Sequence, residues 1–359
     1  GQALVSRGSA EQLAVDASEF DPTRLTVAYQ GATGITPLDT STTGGNLGGL
    51  LEFRNRVLNP ARQSLGQTAT AFAVSMNEQH ASGMDLRGNL GGELFSVAAP
   101  TVLSSADNAG SLSASVAVSD LGALTGVDYV LGYDGAAYSL SRADSGEFVP
   151  LSGTGSGADP LVGEGISIVV GGAPSAGDRL LVRTGQDAAA SIRSVVPDAQ
   201  SIAMSAPTRS AAAQGNIGTA TISAPGVTDI NDPGLLNSTV IEFTGPATYS
   251  VNGAGSFAYN DGDPIVVNGS SVTISGTPSV GDQFTVEANY GASGDNSNGL
   301  LMADTQRVGV LDGGSVSIAE SYGQLVASVG GTTHQIKSGL DAQGVVLTNA
   351  QSAVSATSG

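Results

Sequence analysis

From Asn46 to Ala81 the sequence reads NLGGLLEFRNRVLNPARQSLGQTATAFAVSMNEQHA, and Leu51, Leu58, Leu65 and Phe72 recur every seven residues. Leu47, Ala61, Ala69 and Met76 fall three or four residues from them. This spacing predicts a long helix whose narrow apolar seam packs on another long helix. Asn46 follows the Gly44-Gly45 breaker and is the expected N-cap. Pro60 lies inside the pattern and predicts a kink, or a break with Asn59 as a second cap. Such a helix spans roughly 50 Å at about 1.5 Å per residue and, with so narrow a stripe, needs a partner. The matching stretch lies near the other end of the chain, from Ser317 to about Val354. There Ile318, Tyr322, Leu325, Val329, Ile336, Leu340, Leu347 and Val354 are spaced by three, four or seven, with a polar gap at Thr332–Thr333. Gly323, Gly330, Gly331, Gly339 and Gly344 each weaken that helix by about 1 kcal/mol relative to Ala and admit a second backbone. The two ends of the chain are therefore expected to close one helical domain, with the remainder inserted into it.

Between the two helices the pattern changes. Residues 1–45 read as short strands (Gln2–Ser6, Glu11–Val15, Leu25–Gln30) with loops at Gly31–Gly34 and Thr40–Gly45. From about Ala98 short alternating runs begin: Ser113–Val118, Tyr129–Tyr133, Tyr138–Ser141, Ile166–Val170 and Leu180–Arg183. Gly, Asp, Ser and Pro clusters separate them, as in an antiparallel sandwich or barrel. The plan then recurs. Pro174-Ser-Ala-Gly177-Asp178 and Pro278-Ser-Val-Gly281-Asp282 lie 104 residues apart, each flanked by β-type runs. Each reads as a tight turn into a strand, with Asp bonding its own backbone. The expected fold is α+β and multidomain: a discontinuous helical domain over 1–98 and 291–359, a first β-domain over 99–206, and a second, outer β-domain over 207–290. Thr219 to Asp295 carries eight acidic residues and no Lys or Arg, which puts it outermost. The return is expected through a short helix, Gly299–Val308, capped by Asn298 or Ser297, and a loop at Leu311–Val316.

Charge narrows the function. The net charge is −19, with twelve arginines and one lysine, Lys337. A chain so acidic repels nucleic acid and anionic membranes, so neither is an expected partner. No apolar run reaches the ~20 residues of a membrane span, and no signal peptide opens the chain. The chain starts with Gly in mid-element, which reads as a piece of a longer protein. Absence of Cys removes thiolate chemistry. His80 and His334 are the only histidines and read as helix-surface or helix-end residues. Ile336 precedes the lone lysine, so there is no phosphate-loop GK, and Gly153-Thr-Gly-Ser-Gly157 reads as a flexible loop. Asp261-Gly262-Asp263 and Asp229–Asp232 have donors for weak binding of a hard cation, but polar turns use the same pattern. No catalytic, cofactor-binding or metal residue is assigned.

Asn46-Leu-Gly-Gly-Leu-Leu-Glu-Phe-Arg54, Leu58-Asn-Pro-Ala61, Phe72 to His80 and Gly91-Gly-Glu-Leu-Phe95 resemble the bacterial flagellar hook-associated protein 1 family. So do Gly294-Asp-Asn-Ser-Asn-Gly-Leu-Leu-Met-Ala303 and Ser321-Tyr322-Gly-Gln-Leu-Val326 followed by Val329-Gly330. The resemblance runs in the family's order over nearly the whole chain, with the family's terminal coiled-coil regions missing from both ends; the glycines of the last helix depart from it. It implies a non-enzymatic structural subunit without cofactors, exported by the flagellar type III route without a cleaved signal peptide. It also implies an extracellular place at the hook–filament junction. The implied partners are further copies of itself in a ring, the hook protein, the second junction protein and an export chaperone bound through the missing C-terminal region. The residues alone leave three alternatives: an adhesin or glycan-binding β-array, another axial protein such as the hook protein, and an enzyme. Two long helices from opposite ends and the absence of Trp argue against the first.

Overall fold

The computed structural model describes residues 5–6, 9–10, 12–31, 34–37, 45–291 and 294–358. The expected loop over 40–44 and most of the strand over 2–6 lie outside them. The helices are α1 (Gly45–Phe53), α2 (Asn59–Ala81), α3 (Ala188–Ser191), α4 (Ser297–Asp304) and α5 (Ile318–Ser358). The chain forms two compact units. One comprises Gly1–Ala71, Val97–Ile192 and Arg307–Gly359; the other comprises Phe72–Ser96 and Arg193–Gln306.

In the first unit, Gln12–Ala17, Leu25–Gly31 and Gly34–Pro37 make a three-stranded antiparallel sheet. Gly31 and Gly34, the ends of the expected loop, pair with each other, and the rest of that loop lies outside the described residues. α1 begins at Gly45, one residue before the expected cap. Between α1 and α2 the turn Arg54–Leu58 is π-helical, and Asn59 donates its N–H to the Arg54 carbonyl. Pro60 explains the turn: it has no N–H for the carbonyl one turn back, and its ring crowds that carbonyl. A widened turn relieves both problems without ending the helix. Asn59 is helical, so it is not a second cap.

The expected seam is only partly correct. Leu51 is buried, but Leu58 and Leu65 are 41% and 40% exposed. On the following turns the buried positions are small: Gly66, Thr68, Thr70, Ala71, Ala73 and Ser75. The cause is a backbone approach, since a Cβ on Gly66 would lie 1.7 Å from the Gly185 carbonyl oxygen. A leucine seam cannot occupy a contact that close.

The first β-module pairs its strands antiparallel in the order Phe148–Val149, Tyr138–Arg142, Tyr129–Tyr133, Arg179–Arg183, Thr101–Ser104. Leu161–Gly163, Ile166–Gly171 and Ser113–Val118 form a second sheet. Leu131, Leu140, Leu180 and Val182 of one sheet and Val116, Ile166 and Ile168 of the other share one core. The second unit repeats this order as Ala254–Ala258, Thr248–Val251, Thr239–Gly245, Gln283–Ala288, Thr208–Ala212. Ser270–Ser275 carries the opposing sheet, and Phe243, Ile274 and Phe284 centre the core. The sheets are open, so both modules are sandwiches rather than barrels.

The repeated Asp does more than close its own turn. Asp178 accepts from Ser175 N at 2.9 Å, and also from Ala109 N at 2.9 Å and Gly110 N at 3.0 Å. Asp282 accepts from Ser279 N at 2.8 Å, Ile217 N at 2.8 Å and Gly218 N at 3.1 Å. Asn108 exchanges two hydrogen bonds with the Arg179 backbone, and Asn216 does the same with Gln283. Gly177 and Gly281 turn the chain at φ +94° and +91°. Both carboxylates are buried, and the N–H donors, led by Ser175 and Ser279, hold them below the usual carboxylate range. The stabilisation is therefore present above about pH 4 and lost as pH falls through the lowered values. Asp178→Asn and Asp282→Asn should each lower the melting temperature at pH 7 by roughly 5 °C. The deficit should shrink as a thermal scan is repeated toward pH 3.

Candidate assembly surface

α5 starts with a capping box. Glu320 N donates to Ser317 Oγ at 3.2 Å, and Ser317 N donates to a Glu320 carboxylate oxygen at 2.9 Å. These bonds hold the Glu320 carboxyl below its usual range. The Ser-x-x-Glu spacing was available in the sequence. Ahead of the helix, Gly309–Leu311 and Val316–Ser317 pair as a small hairpin, and the expected loop at Leu311–Val316 is its connection, with only its two end residues paired. One turn into the helix, Ser321 Oγ meets Thr68 Oγ1 of α2 at 2.8 Å. Farther on, a cleft of about 240 Å³ separates Val57, Pro60 and Ala61 from Leu325, Ser328 and Val329.

Beyond Thr332 every described side chain of α5 is exposed, and the expected polar gap does not interrupt the helix. Ile336, Leu340, Val346, Leu347 and Val354 are all more than half exposed. In 41 residues the only acidic or Lys/Arg side chains are Glu320, Lys337 and Asp341. Nothing among the described residues lies within 4 Å of a Cβ built on Gly323, Gly330, Gly331, Gly339 or Gly344, so the backbone approach expected of these glycines does not come from the described residues of this chain. The small sheet of the same unit also exposes apolar side chains: Leu13, Val15 and Leu25 share one face. This surface can bury apolar area.

The sequence candidates for chemistry fall elsewhere. His334 is exposed on α5. His80 lies at the end of α2, as expected of a helix-end residue, but it is buried rather than on the surface. Its Nε2 accepts from Ala203 N at 2.9 Å and its Nδ1 donates to the Gly92 carbonyl at 2.8 Å. Those two bonds fix one neutral tautomer and join the end of α2 to two loops of the second unit. Beside it Asn298 is not a cap: Gln79 Nε2 donates to its Oδ1 at 2.7 Å, and its Nδ2 donates to the Ala203 carbonyl at 2.7 Å. Asp295 instead accepts from the first N–H of α4, at Ser297. Asp229, Asp232 and Asp261 each accept a backbone N–H, and Asp263 accepts from Asn260. Thr154 in the 153–157 loop donates its N–H to Asp159. Among the described residues no three His, Cys, Asp or Glu are placed to hold a metal, and no helix is long and apolar enough to cross a membrane.

Residues 1–95 match the flagellar hook-associated protein FlgK helical domain, and residues 103–184 match the flagellar hook-associated protein 1 D2-like domain. In both segments the chain is similar to the flagellar hook-associated protein 1 family. It is 32% identical over 206 residues to the flagellar hook-associated protein 1 of Escherichia coli K12, a match covering 57% of this chain and 37% of that protein. With that of Salmonella typhimurium it is 35% identical over 208 residues, with the same coverage. The chain thus spans little more than a third of the curated relatives it matches. The flagellar hook junction protein FlgK from Burkholderia pseudomallei has a similar structure, with a TM-score of 0.87 and 29% identity, over 98% of this chain and 71% of that one. The likeness takes in the second β-module and α5, which the two family models do not reach.

Gly339→Ala and Gly344→Ala should each raise the stability of α5 in this chain by up to about 1 kcal/mol, because no described atom meets the added methyl. Circular dichroism on heating measures the gain; a loss would show that these glycines are already packed. His80→Ala strands the Ala203 N–H and the Gly92 carbonyl and should cost roughly 2–4 kcal/mol in urea titrations.

Proposed function

We propose that this chain is the core of a structural subunit of the bacterial flagellum, placed at the junction of hook and filament and without catalytic activity. The observation that carries this reading is the structural likeness to the Burkholderia pseudomallei hook junction protein along almost the full chain. The exposed apolar length of α5 supports it, because such a helix suits assembly with other chains and offers no site for a substrate. On this reading the subunit forms a ring with its own copies between the hook protein and the second junction protein. It reaches the cell exterior by the flagellar type III route, and an export chaperone binds the full-length protein through its C-terminal region. The three-part division, with the frame at 1–98 and 291–359 and the β-domains at 99–206 and 207–290, belongs to the same proposal. So does the absence of catalytic, cofactor or metal residues.

Deletion of the gene tests the reading. Electron microscopy should show hooks without filaments, and the medium should contain flagellin shed as monomer. Normal filaments on the deleted strain would overturn it.

A further inference from the structure

The chain has three Asn-Gly pairs, at 252–253, 268–269 and 298–299, all in the second unit. This pair carries a chemistry of its own. Glycine has no side chain to shield its backbone nitrogen, so that nitrogen can close on the side-chain carbonyl carbon of the asparagine before it. Asparagine is a heat-labile residue for this reason. The fold treats the three pairs differently. Asn298 is 3% exposed at the start of α4. Its Nδ2 donates to the Ala203 carbonyl, its Oδ1 accepts from Gln79, and the Gly299 N–H donates to the Met204 carbonyl at 3.0 Å. Nucleophile and leaving group are both engaged there. Asn268 and Gly269 turn the chain at φ +46° and +69° between Pro264–Val267 and Ser270–Ser275. Asn268 Nδ2 donates to Thr239 Oγ1 at 2.7 Å. Thr228 N and Asp229 N donate to the Gly269 carbonyl, and a Cβ on Gly269 would lie 2.4 Å from the Asp229 carbonyl oxygen, so a second segment lies across that turn.

Asn252 and Gly253 make the same kind of turn, at φ +52° and +72°, between Thr248–Val251 and Ala254–Ala258 at the edge of the larger sheet. Both residues are exposed, and nothing described lies within 4 Å of a Cβ on Gly253. Among the described residues neither Asn252 Nδ2 nor the Gly253 N–H has a hydrogen-bond partner. Asn252 Oδ1 accepts the Val240 N–H at 2.8 Å. That donor polarises the amide carbonyl and faces the oxygen on which negative charge develops when a nucleophile adds to the carbon.

We propose that Asn252 is a site of self-modification: the Gly253 nitrogen closes on the Asn252 side chain, converts it to aspartate or isoaspartate, and so loosens the edge strand. Solvent base takes the Gly253 N–H proton as the nitrogen bonds to Asn252 Cγ. The Cγ–Nδ2 bond then breaks, Nδ2 takes a proton from water, and it leaves as ammonia. A cyclic imide remains, and water opens it at either carbonyl. The sum is amide plus water giving carboxylate plus ammonium. Closure requires the Asn252 backbone to rotate, and an exposed two-residue tip rotates without displacing a packed side chain. The product adds a negative charge to a module that has no Lys or Arg from Thr219 to Asp295. Isoaspartate also adds a methylene to the main chain of a turn whose length fixes the pairing of Val251 with Ala254. The strand released is the one that stacks Phe257 on Tyr249 at 5.5 Å.

Peptide mapping by mass spectrometry tests the site on the 359-residue chain, incubated folded in mildly alkaline buffer and, in parallel, unfolded in urea. In the folded chain, deamidation at 252 should outrun that at 268 and 298 by at least about tenfold, because those two wait on openings that break side-chain hydrogen bonds. In urea the three rates should converge, since each site is then the same exposed pair. Amide exchange over 248–258 should be faster in the isoaspartate fraction than in the unmodified chain. A folded-chain rate at 252 no greater than at 268 or 298 would overturn the site. A lead at 252 that persists undiminished in urea would overturn the role of the fold. Unchanged exchange over 248–258 would overturn the loosening of the edge strand.

Discussion

In each β-module one buried carboxylate gathers backbone N–H groups from two segments some 61–66 residues apart. Asp178 ties 109–110 to 175, and Asp282 ties 217–218 to 279. An adjacent asparagine stitches the neighbouring backbone on both its donor and acceptor sides. With few aromatic residues available, the core of the first module is aliphatic apart from Tyr129, and these polar corners fix what bulky side chains do not.

The sequence made some of this legible. Periodicity located both long helices to within a few residues, and alternation located the principal strands of the first module almost residue for residue. The Pro-Ser-x-Gly-Asp repeat disclosed that two modules share one plan. It did not disclose the far partners of Asp178 and Asp282, although Asn108-x-Gly110 and Asn216-x-Gly218 repeat as well. Burial was less legible than secondary structure. Which face of α2 is covered depends on the Gly185 backbone, which lies more than a hundred residues away in the chain. The partners of His80 and Asn298 were illegible for the same reason: periodicity cannot register them.

The candidate surface divides similarly. The apolar spacing of α5 was visible, whereas its near-complete exposure was not, because spacing says that a stripe exists and not what meets it. The helix is anchored at its first turns by the capping box and by Thr68. Its later turns carry Gly330, Gly331, Gly339 and Gly344, which favour the unfolded backbone, and Thr333, Thr348, Ser352 and Thr357 bond back to carbonyls of the same helix.

The π turn at Arg54–Leu58 has an effect on direction. One extra residue in the winding turns everything after it by about 100° about the helix axis. Leucines seven apart on either side of the turn therefore cannot share a face, so Leu51 is covered while Leu58 and Leu65 look outward. Proline, by forcing that extra residue, lets one rod address two different neighbours along its length.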